Sequence, residues 1–379
     1  MTKAWIVAAR RTAVAPRDGA FVRTEAHDLA APVIDAVRAD CGLAPQDVEE
    51  VILGNALYGG GNPARLAALA AALPESVAAM TLDTQCCGGL DAIALAAARV
   101  AAGERDVVVA GGVESFSRAP IRMRRPLAAG EAPRPYDRPP FTPFPGRDPD
   151  MLDAAAMLAE RLGIGRAAQE AFAVESHRKA LADGPSTNEI IEVADLSHDA
   201  FARDLTERLC ERLPLLVGDA RHGVTAATTA VEADAAAAVM VVSDRIARGL
   251  AASFKPVRIL GSEARGGDPT LPGLAPVAAG RALMARLGLA PADFAAVEIM
   301  EAFAAQALAC RDALGLPPAR VNRGGGALAR GHPIGASGAI LAVRLCHELQ
   351  RHDAPARGLA LIAAAGGLGS ALALSREAF

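Results

Sequence analysis

At 379 residues the chain has enough material for two domains or two large halves, and its apolar, alanine-rich composition reads as a packed enzyme rather than a disordered chain. A formal net charge of -4 gives no global attraction to nucleic acid or to an acidic membrane surface. The six cysteines (Cys41, Cys86, Cys87, Cys210, Cys310 and Cys346) form no Cys-x-x-Cys pair or Cys/His cluster of zinc-ligand spacing, so no metal site is expected. Scattered thiols in a long chain argue for a reducing cytoplasm.

In chain order, the N-terminus places Ile6, Val7 and Ala8 between basic residues, too short an apolar run for a signal segment. Gly42, Leu43, Ala44, Pro45, Gln46 and Asp47 read as a helix end and a turn, followed by a short apolar strand at 51–56. At 84–93 a strand-like approach leads through Cys86, Cys87, Gly88 and Gly89 into an amphipathic helix. A cysteine at a helix start faces the positive end of the macrodipole, which favours thiolate, and the glycines Gly88 and Gly89 permit close approach of amide donors to a thioester oxygen. On the residues alone such a cysteine is a nucleophile or a core thiol. Residues 92–102 are the most apolar stretch, but Arg99 interrupts them short of a membrane span. A strand at 107–110 then runs into Gly111, Gly112, Val113, Glu114 and Ser115.

Residues 118–231 differ in texture. Arg122, Arg124 and Arg125 precede a proline-rich run at 133–149, and helical periodicity returns at 151–162 and 169–181. This is read as an inserted excursion that builds a binding surface. Its arginines either meet the phosphates of an anionic ligand or are solvated.

Gly288, Leu289, Ala290, Pro291, Ala292 and Asp293 then repeat the earlier turn, again before a short apolar strand. Val321, Asn322 and Arg323 open a loop of glycines (Gly324, Gly325, Gly326, Gly331) that carries His332 and Pro333 into another helix at 335–339. A strand at 359–362 leads to Gly366, Gly367 and Gly369. The ordered matches imply a duplicated α/β chain, each half alternating strands and helices in a largely parallel sheet. A histidine in a glycine-rich loop, at the point of the second repeat that matches Cys86, is the expected partner of the thiol.

Four segments together resemble the signatures of the thiolase superfamily, in that family's order and across most of the chain. They are Cys86 to Leu90, Gly111 to Ser115, Glu301 to Ala307, and Gly331 to Gly338. The resemblance implies a duplicated α/β/α/β/α five-layer core with an inserted loop domain. Residues 1–118 plus 232–261 would form one half, 119–231 the loop domain that covers coenzyme A and aids oligomer contacts, and 262–379 the other half. It implies an acyl-CoA-dependent acyltransferase with no permanently bound cofactor, the coenzyme A thioester being substrate, in a homodimer or homotetramer. Cys86 would carry the acyl group and His332 would take its proton. Spacing to Gly111 favours Cys86 over Cys87, which is then a small packing residue or a second reactive thiol. Met151, Ala302, Phe303 and Ser337 would contact the substrate, and Gly88 and Gly367 would offer amides to an oxyanion.

Two family positions are altered. The asparagine expected before Glu301 is Met300, and the second cysteine expected near the C-terminus is Ala363. Loss of an oxyanion donor costs about 10²–10³ in rate, and loss of an acid–base group about 10²–10⁴. Methionine is a poor hydrogen-bond partner and alanine cannot titrate. Acylation of Cys86 should survive, whereas proton abstraction from acetyl-CoA should not. Three readings follow: transfer to an acceptor that needs no second cysteine, such as an activated carbon; an ordinary acetyl-CoA acetyltransferase or 3-ketoacyl-CoA thiolase in which Cys310, Cys346 or another group compensates; or an acyl-CoA-binding scaffold subunit. Partner subunits of a multi-protein acyltransferase complex are an implication of the first reading by family analogy.

Overall fold

The computed structural model describes residues 2–184, 188–250 and 254–377. Its first half runs β1 (Ala4–Thr12), α1 (Ala26–Asp40), β2 (Glu50–Gly54), α2 (Pro63–Ala70), β3 (Ala78–Leu82), α3 (Gly88–Ala102) and β4 (Val107–Glu114). The excursion contributes α4 (Met151–Leu162) and α5 (Arg166–Asp183), after which β5 (Ala233–Ser243) closes the half. The second half runs β6 (Val257–Gly266), α6 (Ala275–Leu287), β7 (Phe294–Ile299), α7 (Ala304–Ala313), α8 (Ala327–Arg330), α9 (Ile334–Gln350), β8 (Ala356–Ala364) and β9 (Leu368–Arg376).

The strand order is β3-β2-β4-β5-β1 in one half and β7-β8-β9-β6 in the other, so equivalent strands occupy equivalent places. The two sheets join where Trp5 and Ile6 of β1 pair with Arg258 and Val257 of β6. The repeated turn is the same structure twice: Asp47 accepts a hydrogen bond from the Ala44 amide, and Asp293 from the Ala290 amide, each at 2.7 Å. The expectation of a largely parallel sheet is corrected. Among these strands β2–β3, β2–β4 and β7–β8 are parallel, while β1–β5, β1–β6, β4–β5, β6–β9 and β8–β9 are antiparallel; the short strand Ile190–Ile191 also pairs parallel with β1. Continuous apolar runs carry no strand direction, and the tight turn through Gly366 (φ 78) and Gly367 (φ 81) makes β8 and β9 a hairpin.

Five layers result, because α3 and α9 lie between the sheets and pack on strands of both. Helix α1 covers the outer face of the first sheet through Leu29, Val33, Ile34 and Val37, whose spacing puts them on one stripe. Helix α9 needs no such stripe; nearly all its residues are buried. Residues 85–102 are apolar and long enough to cross a membrane by composition alone, and here the helix they contain is the inner layer. The two inner helices meet through glycine: a Cβ on Gly89 would lie 2.7 Å from the Ala339 nitrogen, and one on Gly338 2.8 Å from the Leu90 Cβ.

The excursion sits on the second half, α4 against α7 and α5 against α7 and α8. Buried ion pairs fasten it: Arg344 to Asp183 (2.8 Å) and Glu189 (3.1 Å), Arg11 to Glu189 (2.5 Å) and Asp199 (2.6 Å), and Arg330 to Asp199 (2.8 Å). Removing one partner of such a set leaves an uncompensated buried charge, typically costing about 3–5 kcal/mol. The pairs therefore fix α8 and α9, and with them the loop between.

Candidate active site

Cys86 follows directly on a strained turn. Gln85 holds a left-handed φ of 54, costly for a residue with a side chain, and Asp83 accepts hydrogen bonds from its amide and its Nε2, both 3.0 Å. The Cys87 and Gly88 amides turn back to the carbonyls of Thr84 and Gln85, and α3 begins at Gly88. The turn leaves Cys86 half-buried at the wall of a cavity, the one cysteine of the six that is not fully buried.

His332 reaches the same point from the other repeat. Gly331 (φ 116) takes a conformation open to glycine, and a Cβ there would meet the Ala233 side chain at 2.7 Å. The His332 amide donates to the Val231 carbonyl at 2.7 Å, pinning the loop to the strand that becomes β5. Its Nε2 lies 3.3 Å from the Cys86 sulfur and its Nδ1 2.7 Å from the Ser337 hydroxyl oxygen. Ser337 donates its single proton to the Pro333 carbonyl at 3.0 Å, so it accepts from Nδ1–H. That tautomer leaves the Nε2 lone pair facing the thiol.

The charge state at rest follows from burial. Burial pushes the Cys86 thiol up to about 12, against the lowering effect of its own amide and that of Ala365, and pushes His332 down to about 4. The pair is therefore a neutral thiol and a neutral imidazole at pH 7. A thiolate favoured by the helix start, expected from the sequence, is overridden by desolvation. The two amides at the sulfur are those of Cys86 and Ala365.

Glu114, at the end of β4, holds the halves together. Its buried carboxylate accepts from Asn55 Nδ2 (3.0 Å), the Ala56 amide (3.0 Å), the Leu57 amide (3.3 Å) and the Gly335 amide (3.0 Å) at the start of α9. Burial pushes its pKa up to about 7, with the amides opposing. Glu301 does similar work across the excursion, accepting from Asn322 Nδ2 (2.6 Å), Ser176 Oγ (2.7 Å) and the Leu328 amide (3.2 Å). The glycines 324–326 pass against α5, Asp183 and the Glu301 carboxylate, where no Cβ fits. Packing explains that run, and no anion is needed.

The cavity beside Cys86 has a volume of about 350 Å³ and largely apolar walls. Met151, Ala302 and Phe303 line it, with Leu152 and Leu158 of α4 and Phe141. The other candidate residues stand differently. Ser337 lies behind His332 and not on this cavity. Gly88 spends its amide on Gln85, and Gly367 shapes the hairpin turn, its carbonyl accepting from Gly267; the reaching amide belongs to Ala365. Met300 is buried away from the cavity, whereas Ala363 stands in its wall. Cys310 and Cys346 do not line it, and burial pushes both thiols up. Cys87 is fully buried against the Ile362 carbonyl at 3.6 Å, a packing position. Arg122 donates to the Ala56 carbonyl and Arg124 stacks over Tyr136, so two of the loop arginines have protein partners. Among the described residues lining the cavity, Cys86, His332 and Glu232 are the titratable ones, and Glu232 is paired to Arg17 at 2.8 Å.

Residues 4–245 match the family described as "Thiolase, N-terminal domain" and residues 255–376 "Thiolase, C-terminal domain". An "acetyl-CoA acetyltransferase" of Cupriavidus necator is 38% identical, covering 100% of both chains. Another of that name from Pseudomonas aeruginosa is 39% identical over 98% of this chain and 99% of its own. The crystal structure of the Bacillus anthracis acetyl-CoA acetyltransferase superposes with a TM-score of 0.90 at 32% identity, covering 99% of each chain.

Proposed function

The chain belongs to the thiolase family of acyltransferases, and we propose that it captures the acyl group of an acyl-CoA on Cys86 and passes it to an acceptor that arrives already nucleophilic. In the first half-reaction the Cys86 thiol gives its proton to His332 Nε2 as the sulfur attacks the thioester carbonyl. The amides of Cys86 and Ala365, which reach the sulfur, would be the donors to the developing charge. Coenzyme A leaves as its thiol, taking the proton back from His332, and Cys86 holds a thioester. In the second half-reaction the acceptor attacks that thioester and the Cys86 thiolate departs, receiving through His332 the proton that an acceptor ring carbon gives up or, for a preformed carbanion, one from solvent.

The observation that carries the restriction on the acceptor is the cavity wall. Ala363 stands where the family's second cysteine is expected, and no other thiol faces the cavity. A methyl group cannot remove an α-proton, so the carbanion must come with the acceptor, as it does in an electron-rich ring or an activated carbon acid. A second reading, reversible acetyl transfer between acetyl-CoA molecules, is favoured by the names of the relatives. For that reading Glu232 is the cavity group available as base.

Solvent deuterium exchange at the α-carbon of acetyl-CoA separates the two. Exchange no faster than in a Cys86→Ala control supports the restricted acceptor. Brisk exchange that disappears in that control sinks it and establishes the ordinary reaction.

A further inference from the structure

Beyond Ser337 lies a second cavity, of about 20 Å³, room for one water. Its walls include Glu298, Met300, Arg330, Ser337, Ile340 and Arg344. Glu298 stands on β7 between Ala296 and Met300, two-residue spacing that turns all three toward α9. It is 2% exposed, and no described group hydrogen-bonds its carboxyl. Arg344 supplies the complement, since its Nε is buried with no partner. The Glu298 carboxyl, the Arg344 Nε–H and the Ser337 hydroxyl thus border a space large enough for one water, and buried polar groups are ordinarily satisfied.

The hydrogen-bond arithmetic closes with that water in place. A water there would accept from Arg344 Nε–H and donate to the Glu298 carboxylate and to Ser337 Oγ. Ser337 has a lone pair free for it, having given its proton to Pro333 and its other lone pair to His332 Nδ1–H. We propose that Glu298 is a positioning residue for acyl transfer, which through this water and Ser337 sets how readily His332 holds the proton taken from Cys86. An ionised Glu298 favours the imidazolium at the far end of the chain, and a protonated one does not. Charges facing Glu298 come from Arg344 and Glu348 of α9, Arg330 of α8 and Glu189 of the excursion. Burial sets the carboxyl near 7, the arginines lowering it and the carboxylates raising it.

The inference rests on His332 as the proton acceptor of Cys86, and its test avoids acyl-CoA so that it can fail separately from the proposed function. The full chain is alkylated with iodoacetamide across pH 5–9 and the Cys86 peptide is quantified by mass spectrometry. The native chain should show a step of about five-fold through pH 7, the size of one net hydrogen bond, beneath the slower rise of the free thiol. Glu298→Gln should flatten the step while leaving the rate above pH 7 reduced, and Glu298→Asp should restore part of it. Ser337→Ala should also remove the step, and the double variant should be no slower than Ser337→Ala alone. A Glu298→Gln profile that keeps the step, or one lowered equally at every pH, overturns the proposal. If Glu298→Gln does not fold, a step that persists in Ser337→Ala overturns it equally.

Discussion

Gly89→Ala should uncouple the catalytic pair without touching either member. Gly89 lies three residues after Cys86, and the Gly335 carbonyl three after His332; the added Cβ would stand 2.8 Å from that oxygen and 2.7 Å from the Ala339 nitrogen. Ordinary contact begins at 3.4 Å, so the helix starts must part by about 0.6–0.7 Å. Spread onto the 3.3 Å Cys86–His332 separation, that gives about 4 Å, beyond a useful hydrogen bond. A misplacement of about 1 Å costs roughly 10²-fold, so a fall of about 10- to 100-fold is expected in the first-turnover release of coenzyme A. Alanine in a helix gains about 0.5–1 kcal/mol over glycine, while overpacking costs about 1–3 kcal/mol. The clash wins, and Tm should fall by a few degrees. Gly146→Ala, where the Cβ meets nothing within 4 Å, is the control and should match the native chain. A Gly89→Ala chain with native Tm and a burst within two-fold of native would refute the claim that this glycine contact sets the pair's spacing.

Three further outcomes are expected. Ser337→Ala leaves the His332 Nδ1–H without its acceptor, an unsatisfied buried donor worth about 1–3 kcal/mol, so the first-turnover rate should drop roughly 5- to 150-fold by stopped-flow. Because His332 stays neutral down to about 4, the acid limb of acylation by acyl-CoA in Glu298→Gln should lie near pH 4: above it the ring accepts a proton, below it the rate is lost. A limb near 6.5 counts against the buried, neutral imidazole. Ala363→Cys puts a titratable thiol into the cavity wall and should raise α-proton exchange of acetyl-CoA by up to about 10²-fold, the low end of acid–base catalysis; no gain would locate the defect elsewhere.

Much of the architecture was legible because the chain is written twice. The turns at Asp47 and Asp293 have the same hydrogen bond, and Cys86 and His332 stand at matching helix starts of the two halves. Strand direction was not legible, since buried strands such as β4 and β5 are apolar on both faces whichever way they run. The roles of Ser337, Glu114 and the Ala365 amide were hidden for another reason. Glu114 and the Ala365 amide act through contacts between segments far apart in the chain, as with Glu114 and Gly335, and Ser337 acts through the fold of the helix start that brings it back onto His332, five residues before it. The glycines misled in part, signalling close approach correctly but not whether the neighbour is a ligand or a helix. At Gly326 it is the Glu301 carboxylate. The helix-start argument for a thiolate failed on magnitude, desolvation of Cys86 exceeding the donors around it.

Everything proposed for this site depends on Cys86 carrying the acyl group with His332 as its base. Intact-mass and peptide mass spectrometry after incubation with acetyl-CoA tests it most directly. One acetyl thioester is expected, on Cys86, absent from Cys86→Ala and formed at least about 10²-fold more slowly in His332→Ala, as for a lost general base. No adduct, or an adduct on Cys87 that survives Cys86→Ala, would contradict it.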